Sequence, residues 1–210
     1  LKLTDWLPGR RSIASEPLIE AAKLAALPLT EVTLAEAFKA QGYRTGIFGK
    51  WHLGNDGFGP IQQGFDVHVP QWNACCPGGG YYPPYKMKGL TQAGIEDEYV
   101  TDRVSKLAVE FIQKSGHQPF FLYLSHFSVH DPIQGRSDLV EKYEQKLAST
   151  VGAKGPAFIL EGNPDDPTPL SRNQLAHLNN QPSHAVHTVL PHRTVKVKQH
   201  QDNAHFAAMV

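Results

Sequence analysis

Two segments of this chain follow one plan: an amphipathic helix, a short apolar strand, then a loop carrying histidine. In the first, Thr33-Leu34-Ala35-Glu36 has the form of a capping box, in which the threonine oxygen and the glutamate satisfy orphan N–H groups reciprocally. Leu34, Ala37, Phe38 and Gln41 follow at helical spacing, and Gly42 suits the position just past a helix end. Tyr43 to Phe48 reads as a strand, and the loop Gly49-Lys50-Trp51-His52-Leu53-Gly54 follows it. In the second, a helix is predicted over 101–114, with Val104, Leu107, Ala108, Phe111 and Ile112 forming one apolar stripe. Ser115-Gly116 ends it, and the continuous apolar run from Pro119 to Leu124 predicts a strand buried on both faces. That strand leads into Ser125-His126-Phe127-Ser128-Val129-His130-Asp131-Pro132. Helices alternating with short apolar strands predict the α/β class. In open α/β sheets ligands bind beyond the carboxyl ends of strands, where both loops would lie.

The remaining chain is less patterned. A short helix is expected between Ile19 and Leu27, and another from Ser137 to Ala148. Residues 55–98 are rich in glycine and proline, and a stretch of that length is uncommon unless it covers a site or belongs to a larger assembly. Residues 150–200 are a second loop-rich insertion. Within it, Thr194-Val195-Lys196-Val197-Lys198 alternates like an edge strand whose lysines would oppose pairing. Asn203 to Val210 resembles the first turns of a helix that runs into the chain end in mid-face, which suggests truncation.

Charge and hydropathy narrow the function classes. With 20 Lys+Arg against 20 Asp+Glu, the formal charge is zero, and the signs are dispersed. A generic polyanion binder needs clustered cations, so a nucleic-acid role is disfavoured. No apolar run approaches the roughly 18 residues of a membrane span, and residues 1–6 do not have the layout of a signal peptide.

Several side chains are chemical candidates. Lys50 and His52, two apart past a strand, can point to one side of an extended loop and serve anion binding and proton transfer. A surface lysine beside a core-edge histidine is the plainer reading of that spacing. His126 and His130 have the spacing of a helical zinc pair, but Phe127 stands where a metalloprotease carries glutamate, and Pro132 disfavours a helix. His177, His184, His187, His192, His200 and His205 enrich the tail without ligand spacing and read as solvated. Cys75 and Cys76 are adjacent: a vicinal disulfide, two free thiols, or half of another site, with free thiols in a loop the expectation. Gly78-Gly79-Gly80 lacks the lysine and helix of a phosphate loop.

The ordered strings Val32 to Phe38, Gly42-Tyr43-Arg44-Thr45 and Gly49-Lys50-Trp51-His52-Leu53-Gly54 closely resemble the second signature of the type I sulfatases. Gly64-Phe65-Asp66 is similar to the family's next motif. The strand Pro119–Leu124 with Val129-His130-Asp131-Pro132 is similar to its later histidine loop, and Asp202–Val210 to a helix preceding its C-terminal metal ligands. The resemblance implies a sulfuric ester hydrolase of the alkaline phosphatase superfamily, with helices packed on a mainly parallel mixed sheet in a sandwich. It implies a formylglycine, made from the cysteine of a Cys-x-Pro-x-Arg motif, whose hydrate attacks sulfur. It also implies a calcium ion, held by acidic and amide oxygens, that binds the sulfate. Lys50 matches the lysine that steadies the formylglycine hydroxyl and the sulfate. His52 matches the histidine that takes a proton from the hydrate. His130 matches the sulfate-binding histidine on the leaving-group side.

The departures from the pattern bear on what this chain can do. It contains no Cys-x-Pro-x-Arg: Cys75-Cys76-Pro77-Gly78-Gly79 has glycine where arginine is required, and it follows the Gly-Lys-Trp-His string instead of preceding it. The N-terminal aspartate pair is missing, and the position of Asp202-Asn203 before Ala207-Ala208-Met209-Val210 places the late metal pair beyond Val210. Residues 1–210 are therefore expected to be an internal fragment of a catalytic domain. It would lack both the N-terminal nucleophile and metal segment and the C-terminal metal-ligand segment, and would be inactive by itself. The partner implied is a sulfated small molecule or carbohydrate, in a periplasmic, secreted or lysosome-like compartment. The rivals are a phosphate or phosphonate ester hydrolase of the same superfamily and a non-catalytic anion- or sugar-binding fragment.

Overall fold

The computed structural model describes residues 24–90, 97–150, 158–161, 195–198, 200 and 202–210. Helix α1 is Leu34–Ala40, opened by the expected capping box: Glu36 N–H donates to Thr33 Oγ1 at 3.1 Å and Thr33 N–H to Glu36 Oε2 at 2.8 Å. Strand β1 is Arg44–Gly49 and strand β2 is Val67–Val69. Helix α2 is Val100–Ser115, strand β3 Phe120–Ser125 and helix α3 Ser137–Ser149. Strands β4, Phe158–Glu161, and β5, Val195–Lys198, come next, and Ala204–Ala207 forms the single-turn helix α4.

The protein is α/β with a parallel sheet of order β2-β1-β3. Because side chains alternate across a strand, consecutive β1 residues feed opposite layers. Ile47 joins a cluster with Leu27, Ala35, Trp51 and Phe65 on the α1 side. Phe48 joins the larger cluster with Val104, Ala108 and Phe111 of α2. Five of the six β1 residues are buried, as a central parallel strand requires.

Strand β3 departs from expectation. Its apolar run predicts burial on both faces, yet Phe120, Tyr123 and Leu124 are 39%, 48% and 41% exposed. The physical reason is position: β3 is the edge of the described three-stranded sheet and pairs only with β1 there. The expected helix at 19–27 is absent from its described part, residues 24–27, and its first residues lie outside the described ones. The 55–98 insertion holds two elements that the sequence pattern does not reveal, β2 and a 3-10 turn over Pro60–Gln63. Residues 195–198 do form a strand, but they pair antiparallel with β4, so the lysines do not prevent pairing along one edge. The terminal helix is shorter than expected, with Asn203 Oδ1 accepting the Phe206 N–H at its start.

The resemblance motif around Gly64 turns out to be structural cement. Gly64 lies at φ +94°, and a Cβ there would sit 2.5 Å from Glu36 atoms of the capping box, so only glycine lets this turn approach α1. Asp66 Oδ2 accepts from Thr45 N–H at 2.9 Å and Thr45 Oγ1 at 3.0 Å, pinning the start of β2 to β1. Buried Gln63 donates to the Leu27 carbonyl, tying in the segment before α1.

Candidate active site

The first loop is set by the way β1 ends. At Gly49 φ is +119°, and a Cβ would fall 1.7 Å from the Ser125 carbonyl oxygen. That approach lets Lys50 N–H donate to Ser125 O at 2.7 Å while Ser125 Oγ–H donates back to Lys50 O at 2.6 Å. The ends of β1 and β3 are thus stitched together. Trp51 then turns inward: it is 8% exposed, its Nε1–H donates to Phe58 O, and its ring meets Phe65 edge-on. With Trp51 anchored, its neighbours Lys50 and His52 are left half-buried. His52 adopts φ +56°, uncommon for a residue with a side chain.

The second loop brings His130. Its N–H closes a turn on Phe127 O at 2.9 Å, over the buried Phe127 ring. Its own carbonyl accepts the Tyr81 hydroxyl at 2.9 Å. Tyr81 is fully buried, and burial pushes its pKa up to about 12, so the hydroxyl keeps its proton as donor. Tyr81 N–H donates to Gln134 Oε1, Tyr99 O–H donates to Gln134 O, and the two tyrosine rings stack at 5.4 Å. Gln134 N–H in turn points at Met209 Sδ, so the segment after α4 closes the back of this loop.

Gly49 and Ser125 pair at the ends of the parallel strands β1 and β3, so the loops bearing Lys50, His52 and His130 leave from neighbouring positions. Burial first, then the Lys50 charge, then His130, hold the His52 imidazole below its ordinary range. His52 is therefore neutral at pH 7 and keeps a lone pair for accepting a proton. His126 takes no part in this group; it is exposed, and residues 126–130 are not helical, so the helical zinc pair with His130 does not form. Of the tail histidines, His177, His184, His187 and His192 lie outside the described residues.

The cysteine expectation is corrected: Cys75 and Cys76 are joined as a vicinal disulfide. Their loop folds back on itself, with Trp72 Nε1–H donating to Cys76 O at 2.6 Å, and both sulfurs face the His130 ring. Cys76 Sγ lies 3.8 Å from His130 Nε2. Among the described residues, Cys75, Cys76 and His130 are the one group of three His, Cys, Asp or Glu ligand atoms within 4.8 Å of one another. Calcium takes six to eight oxygen ligands. A sulfur and imidazole set does not fit it, so no step through calcium is assigned to these side chains. The Gly78–Gly80 run makes a turn beside Trp72, with Gly80 N–H on Pro77 O.

Sequence reasoning misses Ser125, Tyr81, Tyr99 and Gln134 as the residues that position the two loops. The aromatic run Tyr81-Tyr82 within a Gly- and Pro-rich stretch is the signal available for them.

Comparison with known proteins bears on the same residues. The Sulfatase family profile matches residues 10–194. Among curated relatives, arylsulfatase G of Rattus norvegicus is 29% identical over 155 residues, covering 58% of this chain and 30% of its own length. Arylsulfatase A of Bos taurus is 48% identical over 165 residues, covering 62% and 31%. The chain thus spans under a third of the length of either relative. A solved structure of Ps i-CgsB in complex with k-i-k-neocarrahexaose aligns with TM-score 0.46 and 21% identity, over 67% of this chain and 33% of that one. With the profile spanning most of its length and both loops inside the match, the chain belongs to the sulfatase family.

Proposed function

We propose that this chain supplies the cationic and proton-transferring side of a sulfuric ester hydrolase site. The reaction is hydrolysis of a sulfate ester by water to an alcohol and sulfate. Lys50 binds the sulfate oxygens, where a fixed ammonium offsets charge as the S–O bond breaks. His52, held neutral, accepts a proton. His130, facing from the opposite loop, hydrogen-bonds the sulfate and hands a proton to the departing alcohol oxygen. The substrate is a sulfated small molecule or carbohydrate. The formylglycine nucleophile and the calcium ion belong to parts of the site other than Lys50, His52 and His130, and the chain alone is expected to lack turnover. The vicinal disulfide suits an oxidising compartment, periplasmic, secreted or lysosome-like. No described helix is long and apolar enough to cross a membrane.

One observation carries the reading: the loop bearing Lys50 and His52 and the loop bearing His130 leave adjacent parallel strand ends, joined by Lys50 N–H on Ser125 O. Isothermal titration with sulfate and with p-nitrophenyl sulfate tests it. A charge-assisted contact is worth about 2 kcal/mol, so Lys50→Ala should weaken sulfate binding about 30-fold. Absence of sulfate binding, or binding indifferent to Lys50, overturns the reading. Lys50-dependent hydrolysis of p-nitrophenyl sulfate by the chain with added calcium would contradict its inactivity alone.

A further inference from the structure

We propose that Cys75, Cys76 and His130 form a redox-gated site for a thiophilic divalent cation such as zinc, closed while the cysteines are joined and opened by reduction. Three ligand atoms on two separate loops already lie within 4.8 Å of one another. Tetrahedral zinc, with bonds of about 2.3 Å to sulfur and about 2.0 Å to nitrogen, sets sulfur and nitrogen ligands about 3.6 Å apart. Cys76 Sγ and His130 Nε2 are 3.8 Å apart, so little movement of that pair is needed. The other side of the imidazole is suitably prepared. His130 Nδ1 lies 3.2 Å from the Asp131 carbonyl oxygen, which can only accept. A metal on Nε2 would leave the ring proton on Nδ1, where this carbonyl can accept it. An N–H to backbone carbonyl contact behind the ligating nitrogen is how metal-bound histidines are commonly oriented. The loop that carries the sulfurs is itself fixed, by Trp72 on the Cys76 carbonyl.

The chemistry balances. A phosphine attacks one sulfur of the disulfide and the S–S bond breaks. Water supplies the oxygen of the phosphine oxide, and its two protons go to the two thiols. Zinc then displaces those protons, taking two thiolates, the His130 nitrogen and one water as ligands. The metal would occupy the imidazole that the proposed function assigns to sulfate. That consequence rests on the functional reading, but the metal site does not.

The test uses the whole chain, reduced with tris(2-carboxyethyl)phosphine, freed of excess reductant and titrated with Co2+ and then Zn2+, beside protein that was never reduced. Reduced protein should bind one Co2+ with a thiolate-to-cobalt charge-transfer band that Zn2+ abolishes, and unreduced protein should show no band. Cys76→Ser should lose the band, His130→Ala should weaken affinity at least tenfold, and Lys114→Met, on the exposed face of α2, should change nothing. No band after reduction, a band that persists in denaturing urea, or affinity indifferent to His130 overturns the site. Sulfate titration of the zinc-loaded reduced protein should show at least tenfold weaker binding than the zinc-free reduced protein. Unchanged sulfate affinity overturns the inhibitory consequence. If no form binds sulfate, the functional reading fails while the cobalt titration still decides the site.

Discussion

The two histidine loops start from the same helix–strand plan but are held in different ways. The Lys50–His52 loop leaves a central strand and is locked through backbone, by the close approach of Gly49 to Ser125 of the neighbouring strand, and by the buried Trp51. The His130 loop leaves an edge strand and is locked through side chains, by Tyr81, Tyr99, Gln134 and Met209. Both locks join distant parts of the chain, Ser125 to Lys50 across 75 residues and Tyr81 to His130 across 49. A close backbone approach has no room for a side chain, whereas a side-chain lock can lose one hydrogen bond and keep its packing.

The largest effect should come from the backbone lock. Gly49→Ala would set a methyl 1.7 Å from a backbone oxygen at a left-handed φ, so a loss on the order of 3 kcal/mol or more is expected in urea denaturation. Gly57 has φ +81° but open space around it, so Gly57→Ala should cost only about 1 kcal/mol. Equal losses at the two positions would remove the strand-end stitch from the account.

The next effect lies on β2, beside the same strand. Buried His68, opposite Ile47, has no partner for Nε2, and burial lowers its pKa from 6.5 to about 4. Between those values the unfolded chain binds the proton and the folded chain does not, so stability rises with pH. Its contribution should be complete above pH 6.5 and fade as pH falls toward 4, by about 3 kcal/mol in all. Denaturation across that range should show the loss in the wild type and a shallower one in His68→Phe. Identical pH profiles would contradict it.

The side-chain lock should yield more gently. Tyr81→Phe removes one hydrogen bond to the His130 carbonyl and keeps the stacked ring. A loss of about 1 kcal/mol is expected, with a few-fold weaker sulfate affinity. A loss as large as that for Gly49→Ala would erase the contrast between the loops. The smallest effect belongs to the half-exposed Lys39–Asp66 pair, 2.7 Å apart. Lys39→Met should change stability by about 0.5 kcal/mol, since exposed ion pairs contribute little.

What the sequence makes legible is what depends on neighbours in the chain. The capping box of α1, strand β1 and the α2 stripe do so, and each appears where its pattern places it. Strand β2 escapes because three residues carry no periodicity. The exposure of β3 escapes because an apolar run does not say which strands flank it. The joining of Cys75 to Cys76 escapes because adjacency fits a disulfide and free thiols alike. The facing of both sulfurs to His130 and the tyrosine clamp depend on contacts about 50 residues apart, which spacing does not encode.

The central claim is that an ammonium and two imidazoles from two loops meet at one site, and the titration of His52 followed by NMR tests it most directly. The account predicts a wild-type pKa below 6.5 that climbs when Lys50→Met removes the nearby charge, and climbs by less in His130→Ala, since Lys50 is the stronger influence. A His52 that titrates at the same pH in all three proteins would show that the two loops do not meet.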